Sequence, residues 1–201
     1  MFTHRVERVA AHPGINGAPA WSPDGRKLAL TLSKDGNPDV FLLDLGSRQL
    51  RPVTRHFAID TEPAWMPDGR SLMLTSDRGG SPQIYSVSLG GENPRRVTFE
   101  SSYNASPAVS PNGKMMAFVT REDGNYRIAL KELDTGLTRT LSTGRADESP
   151  TFAPNGSMVL YASKAGGRGV LEAVSVDGRV RQRLALSEGD VREPAWSPAP
   201  K

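Results

Sequence analysis

The chain has 201 residues, 37% hydrophobic and 23% charged, which suits one folded domain with a buried core rather than a disordered chain. Its formal net charge is only +3, and the basic residues are interspersed with acidic ones, so we expect no nucleic-acid partner. The absence of cysteine excludes disulfides, cysteine zinc sites and thiol catalysis, and no apolar run approaches the ~18 residues of a transmembrane helix, so we expect no membrane insertion.

The N-terminal segment carries charges but no apolar stretch, so it is not typical of a signal peptide. Within it, Val6–Val9 has the pattern of a polar outer strand, and we expect an isolated strand there.

A short motif then recurs five times, first as Ala18-Pro-Ala-Trp-Ser-Pro-Asp-Gly25. Its first prolines are Pro19, Pro63, Pro107, Pro150 and Pro194, at spacings of 44, 44, 43 and 44 residues. A period of about 40–45 residues is typical of a four-stranded β-propeller blade. The repeat therefore predicts the architecture before any single strand is assigned.

Each repeat reads as four strands in order. In the first, an inner strand around Pro19–Trp21 precedes a Ser-Pro-Asp-Gly turn and an apolar strand at 27–32. A third strand at 40–43 and a polar outer strand at 50–54 follow. We therefore predict one all-β domain over residues 1–201, with four blades at about 18–57, 62–99, 106–143 and 149–187. The fifth motif, Glu193–Pro198, predicts a second isolated strand at the C-terminal end.

One position of the motif, two residues after the repeat proline, is aromatic in four of five copies: Trp21, Trp65, Phe152 and Trp196. We expect these side chains to pack between blades. Val109 holds the same place in the third copy and predicts a smaller interface there.

Strand order also predicts a candidate binding site. The loops before the inner strands surround one end of the central channel, opposite the Pro-Asp-Gly turns, and loops on a rigid scaffold commonly carry binding residues. The candidate partner-binding residues are Ile15, Asn16, Gly17, Ala18, Asp60, Thr61, Glu62, Asn104, Ala105, Ser106, Asp147, Glu148, Ser149, Arg192 and Glu193.

Catalysis has little support in the sequence. His4, His12 and His56 are scattered and lack the paired spacing of metal sites, and no nucleophile elbow or phosphate loop occurs. We therefore expect no enzyme activity, no cofactor and no metal site. One alternative stays open, that Glu62, Asp147, Glu148 and Glu193 converge on the channel and hold a cation through carboxylate oxygens.

The repeat motif and its flanking segments, including Thr61–Trp65, Leu74–Tyr85 and Glu193–Pro198, resemble the TolB-like β-propeller family over essentially the whole chain. The resemblance implies part of a six-bladed propeller, without the family's N-terminal α/β domain and signal peptide. It implies a periplasmic protein that binds a Pal-like lipoprotein at the channel mouth and other Tol proteins, and that maintains the outer membrane and its constriction at cell division.

Two other interpretations stay open. The chain could be the propeller of a serine peptidase of the prolyl-oligopeptidase type, although that class carries a hydrolase domain in the same chain. It could also be an inactive, truncated remnant. A four-blade arc would leave apolar flanks and unpaired edges, which favour self-association.

Overall fold

The computed structural model describes residues 6–90, 93–184 and 189–196, and these fold into sixteen β-strands. The strands are β1 Asn16–Trp21, β2 Lys27–Leu32, β3 Asp39–Asp44, β4 Leu50–Pro52, β5 Asp60–Trp65, β6 Ser71–Ser76, β7 Gln83–Ser88, β8 Arg95–Arg96, β9 Asn104–Val109, β10 Met115–Glu122, β11 Asn125–Glu132, β12 Thr138–Thr140, β13 Glu148–Phe152, β14 Met158–Ala165, β15 Arg168–Ser175 and β16 Arg181–Leu184.

Every four consecutive strands form one antiparallel sheet in which spatial order follows chain order. The sheets β1–β4, β5–β8, β9–β12 and β13–β16 are blades 1 to 4, and consecutive blades pack face to face around a common axis. The prediction of an all-β propeller with four four-stranded blades is confirmed. The described residues contain no helix, and hence none that could cross a membrane.

The Ser-Pro-Asp-Gly segments form the tight turns expected between the first two strands of each blade. In blade 1 the Gly25 N–H donates to the Ser22 carbonyl (2.8 Å), and the Ser22 hydroxyl donates to the Asp24 carboxylate (2.6 Å). Gly25 has a φ of +69°, which a residue without Cβ adopts at little cost. These turns lie at the rim of the propeller opposite the starts of the inner strands.

The inner strands share a bulge that the sequence pattern did not predict. The residue before each repeat proline has a left-handed φ between 46° and 54°, in the order Ala18, Glu62, Ser106, Ser149 and Glu193. In all four inner strands the pairing register shifts across this residue and the proline. Proline has no N–H to donate to a β-ladder, so the bulge removes it from the pairing scheme.

The core lies between the blades. Trp65 packs on Ala29, Val40 and Leu42 of blade 1, and its indole N–H donates to the Ala20 carbonyl (3.0 Å). Phe152 packs in the same way against the face of blade 3. At the outer edge of that junction, Arg139 donates to the Val176 carbonyl of blade 4 (2.7 Å). Buried aromatic side chains and an edge hydrogen bond therefore join neighbouring blades at these junctions.

The prediction that all four aromatic residues pack between blades holds for Trp65 and Phe152, which are 9% and 8% exposed. It is wrong for Trp21, which is 63% exposed, because within the described residues no other blade packs against it. Trp196 is 38% exposed and donates its indole N–H to the Thr151 carbonyl of blade 4 (3.3 Å). Val109 is half-buried in a methionine-rich junction.

The isolated terminal strands predicted at Val6–Val9 and Glu193–Pro198 do not form within the described residues. Neither segment finds a neighbouring strand there to complete a ladder, so this prediction is wrong. Glu193 nevertheless keeps the left-handed φ of the inner strands, and Trp196 keeps the position of their aromatic residue. Residues 197 and 198 of the second segment lie outside the described residues.

Trp65 provides a direct test of the packing between blades. The Trp65→Ala change should lower the free energy of unfolding by about 3–5 kcal/mol, because it empties a buried junction. Chemical denaturation of the variants measures the effect. The matched Trp21→Ala change removes the same side chain from an exposed place and should cost much less. Equal losses for the two variants would contradict the assigned packing.

Candidate docking site at the channel mouth

The inner strands surround an open axial channel of about 740 Å³. The five left-handed residues line it, together with the prolines that follow them. Because the inner strands all begin at one end, the loops before them gather there, and we call this end the channel mouth. The hairpins between the second and third strands of each blade lie on the same face.

Three predicted contact residues at the mouth are buried and serve the scaffold. Asp60 forms a two-oxygen ion pair with Arg78 (2.9 and 2.8 Å). Asn104 donates to the Gln83 side chain (2.9 Å), and Asp147 accepts from the Ser163 hydroxyl (2.6 Å).

These three residues occupy equivalent positions, where the loop enters the inner strand. A buried polar group needs hydrogen-bond partners within the protein. This corrects the expectation that Asp60, Asn104 and Asp147 present surface to a partner. Ala105 is likewise buried.

Glu62 forms a hydrogen-bonded latch between blades 2 and 3. One carboxylate oxygen accepts from the Thr75 hydroxyl (2.7 Å) and the Ser106 N–H (2.9 Å), and the other accepts from the Ser106 hydroxyl (2.7 Å). This is the junction where Val109 replaces the aromatic residue, so the latch adds polar contacts where that aromatic side chain is absent. Glu62 therefore supports the channel wall, and both of its carboxylate oxygens accept hydrogen bonds from within the protein.

The remaining predicted residues differ in how much surface they offer. Thr61, Ser106 and Ser149 are half-buried along the wall, as is Gly17. The residues exposed at or near the mouth are Ile15, Asn16, Ala18, Glu148, Arg192 and Glu193. Of these, Ile15 is a large apolar side chain with 54% exposure. The structure thus divides the predicted set into a buried supporting group and an exposed group available for contact.

Further apolar side chains lie on this face that the repeat pattern does not indicate. Phe57 is 87% exposed and Phe99 is 65% exposed, and both lie in loops that lead into inner strands. Ile59 is also exposed, and Tyr126 packs edge-to-face on Tyr103 (5.3 Å between ring centroids). Large apolar residues in loops outside the repeat pattern are the signal that could have identified them.

Two ionisable groups of these loops have shifted pKa values. Burial raises the pKa of Tyr103, and the negative charge of Glu62 raises it further, so the phenol stays protonated. Burial by itself would raise the pKa of Glu100, but hydrogen bonds from Lys131 and from backbone N–H groups prevail and lower it to about 2. Glu100 is therefore ionised at neutral pH and ties its loop to β11 through Lys131 (2.8 Å).

The sequence left open a cation site at the channel, and the described residues offer no cluster of ligands for such an ion. Within the residues that the structure describes, no group of three or more His, Cys, Asp or Glu side chains is placed to bind a metal. Glu62 and Asp147 direct their oxygens to hydroxyl and backbone donors of the protein instead.

Comparison with known proteins identifies close relatives. The sequence profile of the TolB beta propeller domain matches residues 1–200. The Tol-Pal system protein TolB of Alcanivorax borkumensis is 58% identical over 198 residues, which is 98% of this chain and 46% of that protein. The crystal structure of TolB from Acinetobacter baumannii superposes with a TM-score of 0.90 at 46% identity, covering 96% of this chain and 48% of that one.

A more distant likeness concerns the fold alone. A puromycin-hydrolyzing peptidase of Mycobacterium tuberculosis matches with a TM-score of 0.70 at 19% identity, covering 88% of this chain and 29% of that one. The Alcanivorax TolB and the TolB crystal structure both match nearly the whole of this chain. The chain spans about half the length of each of them.

The Glu62 latch leads to a stability prediction. The Glu62→Ala change should lower the free energy of unfolding by about 1–3 kcal/mol, because it removes the acceptor of the buried Thr75 hydroxyl and of the half-buried Ser106 hydroxyl. Glu148→Ala, at an exposed carboxylate of the same face, is the matched control and should change stability by less than about 0.5 kcal/mol. Urea unfolding of both variants measures the difference. A loss at Glu62 no larger than at Glu148 would show that the latch contributes nothing.

Proposed function

Because the chain belongs to the TolB β-propeller family, we propose that it is a non-enzymatic protein-docking module of the Tol–Pal envelope system. The match to the TolB of Alcanivorax borkumensis covers 98% of this chain but only 46% of that protein. The partners, the location and the cellular role are therefore part of this proposal. So is the inference that the four blades belong to a six-bladed propeller.

The observation that carries the proposal is the combination of a fixed scaffold and exposed apolar side chains at the channel mouth. Asp60, Asn104 and Asp147 are buried, and their hydrogen bonds hold the starts of three inner strands. Around these fixed points, Ile15 and Phe57 expose apolar surface to solvent. A preorganised apolar surface binds a protein partner with little loss of conformational entropy.

The proposed partner is a Pal-like lipoprotein, whose folded periplasmic domain would seat on the mouth loops. Other Tol proteins would bind elsewhere on the full-length protein or compete for the same face. In this proposal the protein acts in the periplasm, where it links outer-membrane attachment to constriction at cell division. Its own chemistry is limited to binding.

A titration with matched variants tests the face. The probe is the purified periplasmic domain of Pal from Alcanivorax borkumensis, whose TolB resembles this chain closely. Ile15→Arg and Glu148→Arg each place a long cation on the exposed mouth, and each should weaken binding by about tenfold or more, which corresponds to ~1.4 kcal/mol. Isothermal titration calorimetry measures the dissociation constants. Both positions are exposed, so neither change disturbs a buried contact.

The control is Arg70→Glu, at an exposed residue beside the Pro-Asp-Gly turn of blade 2 on the opposite rim. It reverses a charge and should leave the affinity unchanged. If Arg70→Glu weakens binding and the mouth variants do not, the docking face is the opposite rim. If the unmodified chain does not bind the Pal domain, the chain alone is not a sufficient docking module and the proposal is wrong.

A further inference from the structure

The loop that carries Phe57 at the channel mouth is held mainly by side chains rather than by strand pairing. It comprises residues 54–59, between the outer strand of blade 1 and the inner strand of blade 2. The Asn37 side-chain amide donates to the carbonyls of His56 (2.8 Å) and Ala58 (2.6 Å). Phe57 is 87% exposed, and its ring lies 4.1 Å from the His56 ring between centroids. The position of this apolar side chain therefore depends on a few polar contacts.

One of these contacts depends on the protonation state of a histidine. The His56 imidazole Nδ1 accepts a hydrogen bond from the Ala58 N–H (3.0 Å), which closes a tight turn around Phe57. A ring nitrogen accepts a hydrogen bond only when it carries no proton, and both nitrogens of an imidazolium ion are donors. Histidine is the side chain that ordinarily changes its charge between pH 5 and 8. Protonation at Nδ1 would therefore place two donors face to face and remove the contact.

The equivalent loop of blade 2, which carries Phe99, has no histidine. Glu100 takes the place of His56, and its carboxylate accepts the Phe99 N–H (3.0 Å). Although burial opposes ionisation, hydrogen bonds from Lys131 and from backbone N–H groups hold the pKa of Glu100 at about 2. This carboxylate is therefore an acceptor throughout the range in which a histidine titrates. The two loops differ in whether protons can release them.

Other charged groups lie on the elements that meet at the Phe57 loop. They are Asp35, Asp39, Arg55, Asp60, Asp77 and Arg78. Asp39 is buried, and its carboxylate accepts from the Thr54 hydroxyl (3.1 Å) and the His56 N–H (3.3 Å). Burial raises the pKa of Asp39, and these two hydrogen bonds oppose the rise. A protonated carboxyl keeps an oxygen that accepts hydrogen bonds, so protonation of Asp39 alone does not release the loop.

From this geometry we propose that protonation of His56 opens the Phe57 loop and weakens docking at the channel mouth. At about pH 8 the neutral imidazole closes the turn, whereas at about pH 5.5 the imidazolium ion loses the Ala58 contact. A partner would then have to order the loop as it binds, which costs conformational entropy. The Phe99 loop stays fixed over the same range. The effect on docking rests on the function proposed above, but the opening of the loop does not.

The Ala58 amide reports the state of the loop directly. Water-exchange NMR of the full chain measures its protection, with the intrinsic pH dependence of exchange removed. Protection should fall by about fivefold or more between about pH 8 and about pH 5.5, because one hydrogen bond is lost. The Phe99 amide is the internal control and should keep its protection. Equal protection of Ala58 at both pH values would overturn the proposal.

His56→Asn is the matched variant. An asparagine side-chain oxygen accepts the N–H two residues ahead in an Asx turn, and it does not titrate. The variant should therefore protect the Ala58 amide at both pH values. A pH response that persists in His56→Asn would belong to a carboxyl such as Asp39, and the assignment to His56 would be wrong.

Calorimetric titration with the periplasmic domain of Pal tests the effect on docking. The unmodified chain should bind about fivefold more weakly at about pH 5.5 than at about pH 8, and His56→Asn should lose less than about twofold. Titration of the Pal domain itself affects both chains equally, so the difference between them isolates His56. Equal losses would overturn the regulatory role. If neither chain binds at either pH, the docking part fails with the proposed function, while the Ala58 amide still decides whether His56 holds the loop.

Discussion

The packing of each inner strand on the preceding blade is the interaction on which the rest of this structure depends. A single four-stranded sheet of this size has two apolar faces and cannot bury both by itself. The repeat solves this by placing one large side chain at the same offset in three of the four blades, and Trp65 and Phe152 fill two junctions. Where Val109 breaks the pattern, the Glu62 latch joins the two blades through hydrogen bonds.

The same inner strands determine the shape of the channel mouth. The left-handed residue before each repeat proline places one short segment of every inner strand beside the axis. A non-glycine residue in this conformation is uncommon and costs free energy, so its recurrence at five equivalent positions indicates that the fold requires it. Buried Asp60, Asn104 and Asp147 then anchor the strand starts, which leaves the intervening loops free to carry Ile15, Phe57 and Phe99 on the surface.

Much of the fold could be predicted because its information is periodic. The spacing of the repeat prolines predicted four blades. The Ser-Pro-Asp-Gly motif predicted tight turns at the rim opposite the channel mouth. The inner-strand bulge could not be predicted, because an inner strand of about six residues such as Asp60–Trp65 is too short for its side-chain pattern to reveal a shift of register. The ends were predicted wrongly for a related reason: Val6–Val9 has the composition of a strand, but a strand needs a partner, and composition does not supply one.

The candidate site was harder to predict than the fold. Sequence position placed Asp60, Glu62 and Asp147 at the mouth correctly, but a polar residue in a loop can either face solvent or hold the loop in place. Only the partners of each side chain distinguish these roles. Conversely, Phe57 was overlooked because it lies outside the repeat, although an apolar loop residue without a place in the core is a recognisable sign of a binding surface.

Amide hydrogen exchange of the chain with and without the Pal periplasmic domain maps the docking face without any substitution. We expect slower exchange in the mouth loops around Ile15, Phe57 and Phe99, with no change at the Ser-Pro-Asp-Gly turns on the opposite rim. Slower exchange confined to those turns or to the outer strands would show that the partner docks elsewhere.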